Sequence, residues 1–83
     1  MKISIRKSAI RDLENIDHQE KQKIYSAILE LRKFPNIQNV KKLTNFYPAY
    51  RLRKGDYRIL FDVSGDIVEI GRVLHRKNSY RKT

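Results

Sequence analysis

The sequence predicts an α+β domain: an N-terminal strand, an antiparallel helical hairpin, then a three-stranded antiparallel meander. Three observations carry that expectation. Apolar and polar residues alternate over Lys2–Arg6, with Ile3 and Ile5 on one face. Apolar residues then recur at helical spacing in two segments as far as Pro35. From Ala49 the period returns to two, interrupted at two Gly-Asp pairs. The 83 residues read as a single domain, 1–83, without repeats or linkers.

Each element has its own signal. Ser8 is placed to cap a helix beginning at Ala9, with Ile10, Leu13 and Ile16 on one face. Asp17 and Glu20 have capping-box spacing and open a second helix of about fifteen residues. Ile24, Ala27, Ile28 and Leu31 form its buried stripe. Arg32 and Lys33 suit the negative end of its dipole, and Pro35 stops it. The short link between the helices makes them antiparallel. Asn36 to Pro48 reads as a connector, anchored by Ile37, Val40, Leu43 and Phe46. Tyr50–Arg53 is a strand, Lys54-Gly55-Asp56 holds a tight turn, and Tyr57–Val63 is the next strand. Ser64-Gly65-Asp66 turns into a last strand, Ile67–Leu74.

Strand alternation then sorts the arginines. Arg51 and Arg53 share one face, and Tyr50 and Leu52 share the other. With Lys54 and Gly55 as central turn residues, Arg51 opposes Arg58; with Gly55 and Asp56 central, Arg53 does. Both registers collect Arg51, Arg53 and Arg58 on one face and turn Tyr57, Ile59, Phe61 and Val63 towards the helices. Opposed like charges destabilise a sheet, so the cluster points to an anionic ligand. A solvated outer face relieved by Asp56, Asp62 or Glu69 is the structural alternative.

The net charge of +10 is concentrated in two stretches. Between Glu30 and Asp56 seven cations occur without an acid, and after Glu69 five more follow: Arg72, Arg76, Lys77, Arg81 and Lys82. Phosphate polyanions are the natural partners of such a surface. Lys54, Lys77, Arg81 and Lys82 are candidate RNA-binding cations, and Tyr80 is a candidate for stacking on an unpaired base. The absence of cysteine excludes a disulfide framework and a thiolate metal site and fits a cytoplasmic setting. No apolar run is long enough to span a bilayer, and the start does not read as a signal peptide.

At this level the chain resembles the RelE/ParE superfamily of toxins from toxin–antitoxin pairs. The resemblance rests on the β-α-α-β-β-β order, on Tyr-Arg-Leu-Arg at Tyr50–Arg53, on Asp-Tyr-Arg-Ile-Leu-Phe at Asp56–Phe61, and on His-Arg-Lys-Asn-Ser-Tyr-Arg at His75–Arg81. RelE-type members are similar in fold and cut messenger RNA inside the ribosomal decoding site. The resemblance implies a basic pair matched by Arg51 and Arg53, further arginines matched by Arg58 and Arg76, and a tyrosine matched by Tyr80. It also implies a cognate antitoxin, bound as a hetero-oligomer, that blocks the basic face. The chain departs from the pattern in three ways. Arginines stand where lysines are often found, the turn before Tyr57 is shorter, and the sequence ends at Thr83, short of the C-terminal helix some members carry.

The chemistry expected is a metal-independent endoribonuclease without a cofactor, in which the RNA's own 2′-hydroxyl attacks the adjacent phosphate. No acidic cluster for a two-metal mechanism is visible in the sequence. Arginine forks match phosphate oxygens. In this reading Arg58 and Arg76 hold the phosphate, Arg51 and Arg53 hold backbone and scissile oxygens, and Tyr80 stacks. Arginine is a poor proton acceptor, which leaves Lys54 and His75 as candidate bases. His18 reads as structural. Two other functions fit the same fold: a ParE-like inhibitor of DNA gyrase, and an RNA-binding module without catalysis.

Overall fold

The computed structural model describes residues 1–44 and 48–79. The Phe46 anchor and the roles expected of Tyr80, Arg81 and Lys82 therefore lie outside the described residues. The elements run β1 (Lys2–Ile5), α1 (Lys7–Glu14), α2 (His18–Glu30) with a 3-10 turn at Leu31–Lys33, β2 (Val40–Lys42), β3 (Tyr50–Lys54), β4 (Tyr57–Ser64), β5 (Ile67–His75) and α3 (Arg76–Ser79). The strands form one sheet in the order β1-β5-β4-β3-β2. β1 pairs parallel to β5, and every other pair is antiparallel.

The core lies between the helical hairpin and the inner face of the sheet. Ala9, Leu13, Ile24, Ala27, Ile28 and Leu31 meet Leu52, Ile59, Phe61, Val68, Ile70 and Val73 there. The four-residue stripe expected of the second helix is buried throughout. Phe61 stacks on Tyr50 at 5.4 Å and receives the edge of Phe34 at 5.9 Å. Such pairs add about 0.5–1.5 kcal/mol beyond area burial.

Three local readings are corrected. Ser8 does not cap α1: the helix starts at Lys7, and the Ser8 hydroxyl donates instead to the Gly71 carbonyl at 2.6 Å. Ile10 is exposed, because Ala9 and Leu13 are the residues that face the core. The connector is not structureless, since Val40–Lys42 adds an edge strand beside β3. Asp17 does cap α2, accepting from the Gln19 N–H at 3.2 Å.

Both meander turns leave two residues between paired positions. Lys54 pairs with Tyr57 around Gly55-Asp56, and Ser64 pairs with Ile67 around Gly65-Asp66. Gly55 and Gly65 have φ near +60° (58° and 59°), the sign a type II′ hairpin needs at its first central residue. β5 carries one irregularity: Leu60 pairs with Arg72 and Phe61 with Ile70, so Gly71 is the extra residue of a β-bulge.

Candidate nucleic-acid interface

The register selects the second of the two expected turns, and Arg53 lies directly opposite Arg58. On the outer face, away from the helices, the partners form rows. One row is Lys41, Arg51, Leu60 and Arg72; the next is Arg53, Arg58 and Leu74. Lys41 enters through the edge strand the sequence reading took for connector. Its presence in an acid-free stretch was the available signal. Opposed Cβ atoms in such rows sit about 4.5–5.5 Å apart, so these cations raise a concentrated positive potential.

The carboxylates offered as relief are occupied elsewhere. Asp62 accepts from the Ala49 N–H at 2.7 Å. Glu69 lies 3.7 Å from Arg6, and Asp56 lies 3.9 Å from Arg76. Among the described residues neither Arg51 nor Arg53 makes an ion pair, and the buried Arg51 Nε has no hydrogen-bond partner. Exposure divides the group. Arg53 and Lys41 are exposed, whereas Arg58 is only 6% exposed. Arg76 opens α3 at the β3–β4 turn, its N–H donating to the Asp56 carbonyl at 2.7 Å.

Arg72, counted with the basic excess, is held to α1. Its Nε and Nη2 donate to the two Asp12 carboxylate oxygens at 2.8 and 3.1 Å. Donating to the Asp12 carboxylate raises the Arg72 pKa above its ordinary value, against a smaller opposing desolvation. The guanidinium thus stays charged at any working pH.

The candidate proton acceptors are not brought together with the arginines. Lys54, Tyr57 and His75 form a third row at the same end of the sheet, and this row alternates onto the inner face. The bulge at Gly71 decides the matter for His75. Without the extra residue Leu74 would pair with Tyr57, and His75 would carry the parity of Arg58. The His75 ring meets Tyr57 edge to face at 5.2 Å, and its Nδ1 accepts from the Lys77 N–H at 3.2 Å. With Nδ1 accepting, the neutral ring carries its proton on Nε2, which is then a donor. Lys77 itself is exposed beside it.

The arrangement has known relatives. A sequence model of the family described as "ParE toxin of type II toxin-antitoxin system, parDE" matches residues 3–80. The chain is 32% identical to Toxin RelE3 of Methanocaldococcus jannaschii over 96% of each chain. The toxin–antitoxin complex RelB-RelE from Methanococcus jannaschii contains a chain that is 30% identical to this one, with a TM-score of 0.78 over 93% of this chain and 94% of that one. A chain of the toxin–antitoxin complex RelBE2 from Mycobacterium tuberculosis is similar at 25% identity and a TM-score of 0.78, covering 90% of this chain and 96% of that one.

Proposed function

This chain belongs to the RelE/ParE family of toxins from type II toxin–antitoxin pairs, and from that premise we propose that it is a ribosome-dependent endoribonuclease cutting messenger RNA in the cytoplasm. The observation that carries the reading is the cationic outer face, with Arg53 opposite Arg58 and Lys41 opposite Arg51. Arg53, Lys41 and Arg76 are accessible to a phosphate backbone. Arg58, being buried, acts from beneath by holding the local potential positive. The 2′-hydroxyl attacks the neighbouring phosphate, and the guanidiniums stabilise the charge that builds on its oxygens. Because Lys54 and His75 lie across the sheet end from the arginines, the enzyme works chiefly by orienting the 2′-hydroxyl and supplying charge, with the ribosome providing the rest of the geometry. Tyr80 is proposed to stack on a base, with Arg81 and Lys82 adding backbone contacts. The partner that neutralises the toxin is a cognate antitoxin of the RelB kind, by analogy with the two relatives solved as such complexes.

Mapping RNA 5′ ends after brief induction tests this. Codon-linked cuts in translated messages support it, whereas DNA damage without RNA cuts marks a gyrase poison. Neither effect marks a binding module. The gyrase reading draws on the matching family model, which is described by ParE. The Arg58→Ala/Arg76→Ala double variant is expected to lose growth arrest. Because Arg58 is buried, its circular dichroism must be compared with the parent. Arg53→Ala leaves an exposed site and should lower cleavage on the order of 10²–10³-fold. Full toxicity in both variants, with the fold intact, would overturn the site.

A further inference from the structure

A second site lies beside the arginine rows, at the open edge of β5. β1 pairs with β5 only as far as Ile70. Beyond that point α1 runs along the edge in place of a strand. Ser8 takes the Gly71 carbonyl, and Asp12 takes the Val73 N–H at 2.9 Å. These two contacts show that the backbone groups of Gly71 and Val73 face the edge, and alternation turns those of His75 the same way. Past Asp12 the helix ends at Glu14, capped by Asn15, and a cleft of about 260 Å³ opens between its end and the strand. Tyr57, His75 and Leu74 line one side, Asn15 and Ile16 the other. Among the described residues no strand lies alongside this stretch, so the Val73 carbonyl and the His75 N–H face the cleft as an acceptor and a donor two residues apart.

We propose that this cleft receives one nucleobase of the RNA, its Watson–Crick edge hydrogen-bonded to the Val73 carbonyl and the His75 N–H and its face against the Tyr57–His75 pair. Every nucleobase sets a donor beside an acceptor on that edge, and single-stranded RNA is read by such edges together with aromatic packing. The His75 Nε2–H supplies a further donor. The position is suited to a nucleotide whose phosphate lies on the arginine face, because Leu74 is the cross-strand partner of Arg58 and His75 directly precedes Arg76. The inference rests on RNA being the substrate and adds where a base of that RNA goes.

The test is titration of the ¹⁵N-labelled chain with AMP, CMP, GMP, UMP and, as the base-free control, ribose 5-phosphate, followed by NMR. At least one nucleotide should shift the Val73 and His75 amides saturably, and ribose 5-phosphate should not. Asn15→Trp places an indole at the mouth of the cleft from an exposed position. It should weaken the base-dependent shift at least tenfold with the thermal unfolding midpoint unchanged. Equal shifts from ribose 5-phosphate, no shift from any nucleotide, or undiminished binding by Asn15→Trp would overturn the site. Codon-linked cleavage in cells without base-dependent shifts removes the cleft and spares the nuclease. Base-dependent shifts without RNA cuts sustain the cleft and remove the nuclease.

Discussion

Asp12 shows how much of the molecule rests on single side chains. One carboxylate satisfies the Val73 N–H and holds the Arg72 fork, joining the first helix to the last strand. The Arg72 side chain is about half exposed (47%), so the ion pair itself adds little. The backbone N–H is the larger stake, because an unsatisfied buried donor costs about 1–3 kcal/mol. Asp12→Ala should therefore destabilise the fold by about 1–3 kcal/mol in urea unfolding, while Arg72→Ala should cost less than about 1 kcal/mol. Neither result depends on titration of Arg72. Its pKa is raised, so its contribution is complete below the ordinary arginine value and is lost as the pH rises from there through the raised one. The sequence did not disclose this role. No local pattern marks Asp12, and Ser8, spaced for a cap, bonds instead to a strand sixty-three residues away. Local patterns reveal local bonds, and both of these are tertiary.

At the scale of elements, alternation was readable wherever the two faces of a strand differ in chemistry. Tyr50–Val63 sorted correctly, because aromatic and branched residues dominate one face and Arg51, Arg53 and Arg58 stand on the other. β2 escaped notice, since three residues with an exposed Lys41 and Lys42 carry too little pattern to separate from a connector. The facing of His75 at the end of β5 was not readable for another reason. A glycine inside a strand is a known sign of a bulge, yet nothing local says which face its successors take. Gly71 approaches Pro48 so closely that an added Cβ would meet the ring at 2.9 Å, which explains why a side chain is absent there. The hairpin glycines act through φ alone, for no atom lies within 4 Å of a Cβ at Gly55 or Gly65. Gly65→Ala should thus cost about 1–2 kcal/mol by thermal or urea unfolding. Because Gly65 is at the far turn, toxicity of the folded variant should be unchanged.

For the molecule as a whole, charge placement matters more than charge total. The basic residues that could touch phosphate concentrate where β2, β3 and β4 run side by side, with exposed Arg76 at the β3–β4 turn, while Arg6 and Arg72 are drawn to Glu69 and Asp12. Four phosphate contacts, from Lys41, Arg51, Arg53 and Arg76, would give single-stranded RNA binding a slope of about −3 in log K against log salt. Arg53→Ala should reduce that slope by about 0.7 in fluorescence anisotropy, whereas Arg72→Ala should leave it unchanged. The order of the sheet has a different kind of consequence. Among the described residues β1, near the amino end, has β5 as its only strand neighbour, with Lys2 set against Ile67. A pairing so distant in sequence closes late, because the intervening chain must first surrender its freedom. During synthesis the first strand therefore emerges long before its neighbour exists. A chain that stops after β4 holds Lys41, Arg51, Arg53 and Arg58 but gives β1 nowhere to dock. Such a toxin stays unassembled through most of its own translation, on the very machine it is proposed to attack.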